Sequence, residues 1–217
     1  MLKVLKKNQK HFAVAGALFI AFVVWTAIIL LVGVNPVGPN ESVVGLAGLN
    51  VAFHKFTGVH LVLYDVTDIL SIIPLMIIGF FAVLGVIQLV KRKSLKKVDY
   101  EILALGVYYI VVLALFFLFE ALKVNYRPIL IEGKLEASYP SSTTLLVLTV
   151  LPTAILWVKN NVKKGKIGLI INVALAVFAL FMLVCRTISG VHWITDIIGG
   201  VLLASSLFVA YLGATKI

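Results

Sequence analysis

The sequence predicts an all-α membrane protein with six transmembrane helices, both termini cytoplasmic, and an interfacial helix after the first span. Three observations carry that expectation. Apolar residues make up 62% of the 217 and charged residues only 13%, whereas a soluble domain has about 45–50% apolar and about 25% charged residues. With a mean hydropathy of +1.12, too little polar surface remains to coat a water-soluble globule, so a soluble enzyme is excluded. Six apolar stretches then alternate with clusters of lysine, and the basic residues gather on one side of the resulting topology. We find no internal repeat, no glycine-rich nucleotide loop and no separate soluble domain, so residues 1–217 read as one six-helix domain.

A hydrocarbon core about 30 Å thick needs about 20 residues per helix. The first stretch, 13–34, carries no charge. It is longer than the ~7–15-residue apolar region of a signal peptide and reads as a retained anchor. The second stretch runs over 69–90 and follows Asp65 and Asp68; the third, 102–119, ends on Glu120. The fourth, 143–158, is short and contains Pro152, which predicts a kink. Stretches 167–184 and 197–213 complete the set. Between the first two, residues 41–56 place Val44, Leu46, Leu49, Phe53 and Phe56 at roughly helical spacing. That pattern suits a helix in the outer membrane interface or one packed on the bundle. Trp193 and Tyr139 are read as interface aromatics or as residues lining a site.

Orientation follows from the basic residues. Lys3, Lys6, Lys7 and Lys10 precede the first stretch, and Lys91, Arg92, Lys93, Lys96 and Lys97 separate the second from the third. Lys159, Lys163, Lys164 and Lys166 separate the fourth from the fifth, and Lys216 follows the sixth. Fourteen of the 19 basic residues thus share one side, which the positive-inside rule makes cytoplasmic. The opposite side is chemically different. It collects Glu41, Asp65, Asp68, Glu120, Glu132, Glu136 and Asp196, the histidines His54, His60 and His192, and the arginines Arg127 and Arg186. Ionisable groups at helix ends are costly to bury unpaired, so they point to function there.

Three segments carry the chemistry. Arg127-Pro128 is read as a helix end that offers a guanidinium fork for a tetrahedral oxyanion. Pro140-Ser141-Ser142 starts the fourth helix, where serines cap and free N–H groups attract anions. Taken alone, Pro-Ser-Ser is a common helix start. The third segment runs from Cys185-Arg186 through Ser189-Gly190 to His192 and Asp196. A four-residue spacing puts His192 and Asp196 on one helical face, where the carboxylate orients the imidazole. The single cysteine, Cys185, excludes an intrachain disulfide and a cysteine-based zinc site.

These blocks resemble the type 2 phosphatidic acid phosphatase (PAP2) superfamily, membrane lipid phosphatases related to vanadium haloperoxidases. Its pattern is Lys-x6-Arg-Pro, then Pro-Ser-Gly-His, then Ser-Arg-x5-His-x3-Asp. Arg127-Pro128, Pro140-Ser141 and Arg186…His192…Asp196 match in order and spacing, with Cys185 in place of serine. The resemblance implies that His192 attacks phosphorus to form a phosphohistidine and that Asp196 orients it. It also implies that Arg127, Arg186, Ser141 and the backbone at Ser142 bind the phosphate. It implies a membrane lipid phosphate as partner, no nucleic acid, no cofactor and no metal, at a site on the outer face of the cell membrane.

Two positions depart from the pattern. Glu120 stands where the first lysine belongs, with Lys123 three residues later as a substitute cation. Thr143 stands where the family has the histidine that protonates the leaving group. Loss of a general acid costs about 10²–10⁴ in rate. An alkoxide leaves badly without a proton, whereas a lipid phosphate leaves as a weak base, so diphosphate lipids of the polyprenyl class are the favoured substrates. His54, His60, Glu132 and Glu136 are candidate replacement acids. A lipid-phosphate binder or transporter, or a lipid phosphotransferase, remains as an alternative.

Overall fold

The computed structural model describes residues 2–162 and 165–215; Lys163, Lys164 and Lys216 of the basic clusters lie outside the described residues. Among the described residues eight α-helices follow in chain order: α1 (Leu2–Leu31), α2 (Ala47–Thr57), α3 (Leu61–Leu70), α4 (Ile72–Arg92), α5 (Tyr100–Leu122), α6 (Ser142–Asn161), α7 (Lys166–Ile188) and α8 (Ile194–Ala214). Isolated bridges occur in loops, but no strand is present among the described residues. Six segments among the described residues are long and apolar enough to cross a membrane.

The second of these departs most from expectation. It begins at Leu61 rather than 69 and reaches Arg92, because only Ser71 separates α3 from α4. Ser71 between them keeps helical dihedrals, and its N–H still donates to the carbonyls of Thr67 and Asp68. Thirty-two residues span about 48 Å at 1.5 Å per residue, well beyond a ~30 Å core. The excess is α3, and it carries Tyr64, Thr67 and Asp68 to the end of the bundle where the site lies.

Helix α6 is the central element, packed against α4, α5, α7 and α8, and is the most buried span. Pro152 leaves it continuous. It lies in a threonine-rich stretch whose hydroxyls bond back along the helix: Thr149 Oγ1 donates to Leu145 O at 2.7 Å, and Thr153 Oγ1 to Val150 O at 2.8 Å. Tyr109 of α5 reaches the same Thr153 hydroxyl at 2.9 Å. Around this axis, Phe81, Leu105, Val112, Val150 and Tyr211 pack one core, and Phe22, Ile29, Tyr139, Leu145 and Leu203 another. In lipid, helix association rests on close packing and hydrogen bonds, because tails are as apolar as the side chains. Gly199 and Gly200 of α8 show this. A Cβ on Gly199 would sit 2.4 Å from the Tyr139 ring, and one on Gly200 3.1 Å from Thr144 Cβ. Their bareness lets α8 press against the start of α6.

Helix α2 is amphipathic in its use. Asn50 is fully buried and donates to Thr195 Oγ1 (3.0 Å) and Gly45 O (2.8 Å), which ties α2 to the first turn of α8. Leu49 and Phe56 remain exposed. Trp193 and Tyr139 correct the interface expectation, since both are buried. The Trp193 indole N–H donates to Tyr126 O at 2.8 Å, and the Tyr139 hydroxyl lies 2.7 Å from Thr26 Oγ1.

Candidate active site

Three loops at the end opposite the Lys91–Lys97 cluster build the site: 58–60 before α3, 123–141 between α5 and α6, and 189–193 between α7 and α8. Helix α5 stops at Lys123, which takes a left-handed conformation (φ 49°). Arg127 therefore lies in an irregular excursion rather than at a helix end, which corrects the sequence expectation. Its N–H donates to Glu136 O at 3.0 Å, Tyr126 pairs with Ala137, and Glu132-Gly133 turn the tip with positive φ. The Arg127 guanidinium Nε lies 3.0 Å from Glu136 Oε2.

Arg186 sits in the last turn of α7 and is almost fully buried. Its Nη1 donates to Thr67 Oγ1 at 3.2 Å, and Nη2 lies 3.8 Å from Asp68 Oδ1. Both guanidiniums meet the ring of Tyr64: Cζ of Arg186 is 4.9 Å from its centroid and Cζ of Arg127 is 5.6 Å. The ring quadrupole attracts each cation, so Tyr64 favours keeping the two like charges together, and Glu136 and Asp68 supply counter-charge.

His192 follows a turn at Gly190 (φ 73°), where a Cβ would come 2.1 Å from Gly58 O. The glycine is therefore required by both conformation and space. His60 N–H donates to Ser189 O at 2.9 Å, and His54 Nε2 lies 3.0 Å from Gly190 O, so two neighbouring histidines brace this turn. His192 Nδ1 lies 3.6 Å from Asp196 Oδ2, across the junction between the loop and the first turn of α8. The expected common helical face is thus only half formed, because α8 begins at Ile194. Asp196 is fully buried and held by Trp193 N–H (3.0 Å) and Asn125 Nδ2 (3.4 Å).

Ser141 is the N-cap of α6. Its Oγ accepts from Thr144 N–H (3.4 Å) and Thr144 Oγ1 (3.0 Å), and its own N–H donates to Asp196 O (3.0 Å). The Ser141 side chain and N–H are thus engaged within the protein, whereas the N–H groups of Ser142 and Thr143 open the helix without intrahelical acceptors. Ser142 also lines a narrow cleft of about 10 Å³, as do His192, Ser138, Tyr139 and Glu120. Lys123 is exposed and does not line that cleft, and Thr143 is buried in α6.

Electrostatics favour a neutral imidazole. Burial pushes the His192 pKa well below its ordinary value, and the positive charges of Arg127 and then Arg186 push the same way, against a smaller upward pull from the Ser138 backbone. Several buried polar atoms here have no protein partner at hydrogen-bonding distance and angle among the described residues: both imidazole nitrogens of His192, Nη1 of Arg127 and Nε of Arg186. Buried polar groups are nearly always paired in folded proteins, so their convergence marks a ligand site. Together the groups offer an oxyanion cradle beside an unprotonated nitrogen. Sequence reasoning missed Tyr64, Thr67, Asn125 and Ser138, whose roles depend on helix and loop packing.

Fold and site define a multi-pass membrane helical protein with a buried arginine–histidine–carboxylate cluster at one end. Residues 120–216 match the model of the PAP2 superfamily. Its fold is similar to the crystal structure of a transmembrane PAP2-type phosphatidylglycerolphosphate phosphatase from Bacillus subtilis. The TM-score is 0.60 at 20% identity, covering 92% of this chain and 94% of that one. A search of curated proteins finds no significant match.

Proposed function

We propose that this protein hydrolyses a lipid phosphate or, preferentially, a lipid diphosphate of the polyprenyl class, through a phosphohistidine on His192. The observation that carries the reading is that Arg127, Arg186 and His192, all buried at one end of the bundle, keep side-chain nitrogens without a protein partner. The family, and the fold shared with a phosphatidylglycerolphosphate phosphatase, support the substrate class. In this reading, Arg127, Arg186 and the first N–H groups of α6 take the phosphate oxygens as their charge redistributes. His192 attacks phosphorus in line while the bond to the leaving oxygen breaks, and Asp196 stabilises the resulting imidazolium. Water then cleaves the P–N bond and regenerates neutral His192. The cationic and dipolar groups carry the electrostatic load, so the reaction is metal-independent.

The diphosphate is favoured because its leaving group, a lipid phosphate, is a far weaker base than the alkoxide of a monoester and depends least on a proton donor, a role that Thr143 cannot fill. The concentration of basic residues on the opposite side supports a site facing away from the cytoplasm, with the exposed apolar face of α2 in the outer interface. The test is phosphate release by purified protein from polyprenyl diphosphate, polyprenyl phosphate, phosphatidate and phosphatidylglycerolphosphate. Release led by the diphosphate and abolished in His192→Ala is expected. Binding of these lipids with no release from any of them would replace the hydrolase by a lipid-phosphate binder.

A further inference from the structure

Thr143 leaves the proton for a monoester leaving group unassigned, and the candidates named from sequence are occupied elsewhere. His54 Nε2 is engaged with Gly190 O at 3.0 Å, and His60 Nε2 with Thr57 O at 2.8 Å. Glu136 is paired with Arg127, and Glu132 lines a separate cleft with Asp65 and Asp68. The narrow cleft at His192 is lined by only three titratable side chains: His192, Tyr139 and Glu120. Tyr139 is fixed to Thr26 by its hydroxyl (2.7 Å), and burial raises its phenol pKa, which makes it a poorer acid. Glu120 differs from both. It lies in the last turn of α5, is exposed at the protein surface, and lines the cleft together with His192 and Ser142. A group that protonates the leaving oxygen and then deprotonates the attacking water must lie within reach of the reacting atoms and keep a carboxyl that is not tied up in another contact.

Resting on the phosphohistidine reading above, we infer that Glu120 is the general acid and base of this enzyme, in place of the histidine that Thr143 replaces. In the first half-reaction the P–O bond to the lipid breaks as the His192–phosphorus bond forms, and the proton of the Glu120 carboxyl passes to the departing alkoxide oxygen. In the second, the resulting Glu120 carboxylate takes a proton from the water that attacks phosphorus, the P–N bond breaks, and His192 and protonated Glu120 are restored. The two departures from the family pattern are then linked: one acid has been exchanged for another on a neighbouring helix.

The experiment compares wild type, Glu120→Gln, Glu120→Asp and His192→Ala as full-length protein in one detergent. The substrates are an alkyl lipid monophosphate and an aryl phosphate monoester with a weakly basic leaving group. The readout is kcat/KM, which ends at the first irreversible step and so reports leaving-group departure. Glu120→Gln is expected to raise the aryl-to-alkyl ratio about 10²-fold or more, with Glu120→Asp restoring part of the alkyl rate. Equal losses on both substrates, or no loss on either, overturn the role of Glu120 while leaving the hydrolase intact. If wild type releases no phosphate, or His192→Ala is as active as wild type, the phosphohistidine reading fails and the inference fails with it. Unchanged thermal unfolding of Glu120→Gln separates a chemical effect from a folding one.

Discussion

The Nδ1 atom of His192 lies 3.6 Å from Oδ2 of Asp196, and that same oxygen accepts the Trp193 N–H at 3.0 Å. One carboxylate therefore starts helix α8 and faces the imidazole, so the helix terminus sets the geometry of the candidate nucleophile. The separation is just beyond hydrogen-bonding range, and formation of a positive imidazolium on phosphoryl transfer is expected to draw the two together. Asp196→Asn, which keeps an acceptor for Trp193 but loses the charge, should lower kcat by about 10²–10⁴. Binding of vanadate, a phosphate analogue, should change far less. Equal effects on binding and turnover would assign Asp196 to the fold alone.

Tyr64 joins the two arginines. A cation–π contact contributes about 0.5–2 kcal/mol, and two of them meet this ring. Tyr64→Leu should raise KM about tenfold or more through the misplaced guanidiniums, whereas Tyr64→Phe, which retains the ring, should stay close to wild type. Steady-state kinetics on one lipid substrate decide between the ring and the hydroxyl.

The pH dependence follows from the depressed His192 pKa. Its protonated form cannot attack phosphorus, so the acid limb of kcat/KM should lie below the ordinary imidazole value of ~6.5. Stability runs in the same direction. The unfolded chain binds a proton at this histidine as pH falls through ~6.5, while the folded protein does not, so folding is progressively disfavoured below that pH. His192→Asn should flatten that part of the thermal-stability profile.

Gly190 holds the loops together. Its left-handed conformation, and the 2.1 Å approach that a Cβ would make to Gly58 O, leave no room for a side chain. Gly190→Ala should destabilise the protein by about 1–3 kcal/mol and displace His192 as well. A lowered melting temperature together with a loss of activity is expected; normal activity at an unchanged melting temperature would show that loop 58–60 yields freely.

Composition and hydropathy alone specify a six-span helical membrane protein, because a membrane helix satisfies its backbone internally and its signal is local. The spacing of Arg186, His192 and Asp196 and the serine at the start of α6 were legible for the same reason: each lies within one or two turns of chain. What the linear pattern missed is contact between distant segments. Asp65 and Asp68 read as the approach to a span, yet they lie within one that starts at Leu61, and Asp68 is tolerated there beside Arg186 from another helix. Arg127 read as a helix end and lies in a loop held by Glu136. Glu120 read as a lost lysine and lines the cleft beside His192. Local periodicity and charge determine which segments become helices and which side they favour. Only packing brings Tyr64, Arg127, Arg186 and His192 to one place, since the close approaches at Gly190, Gly199 and Gly200 depend on which helices meet.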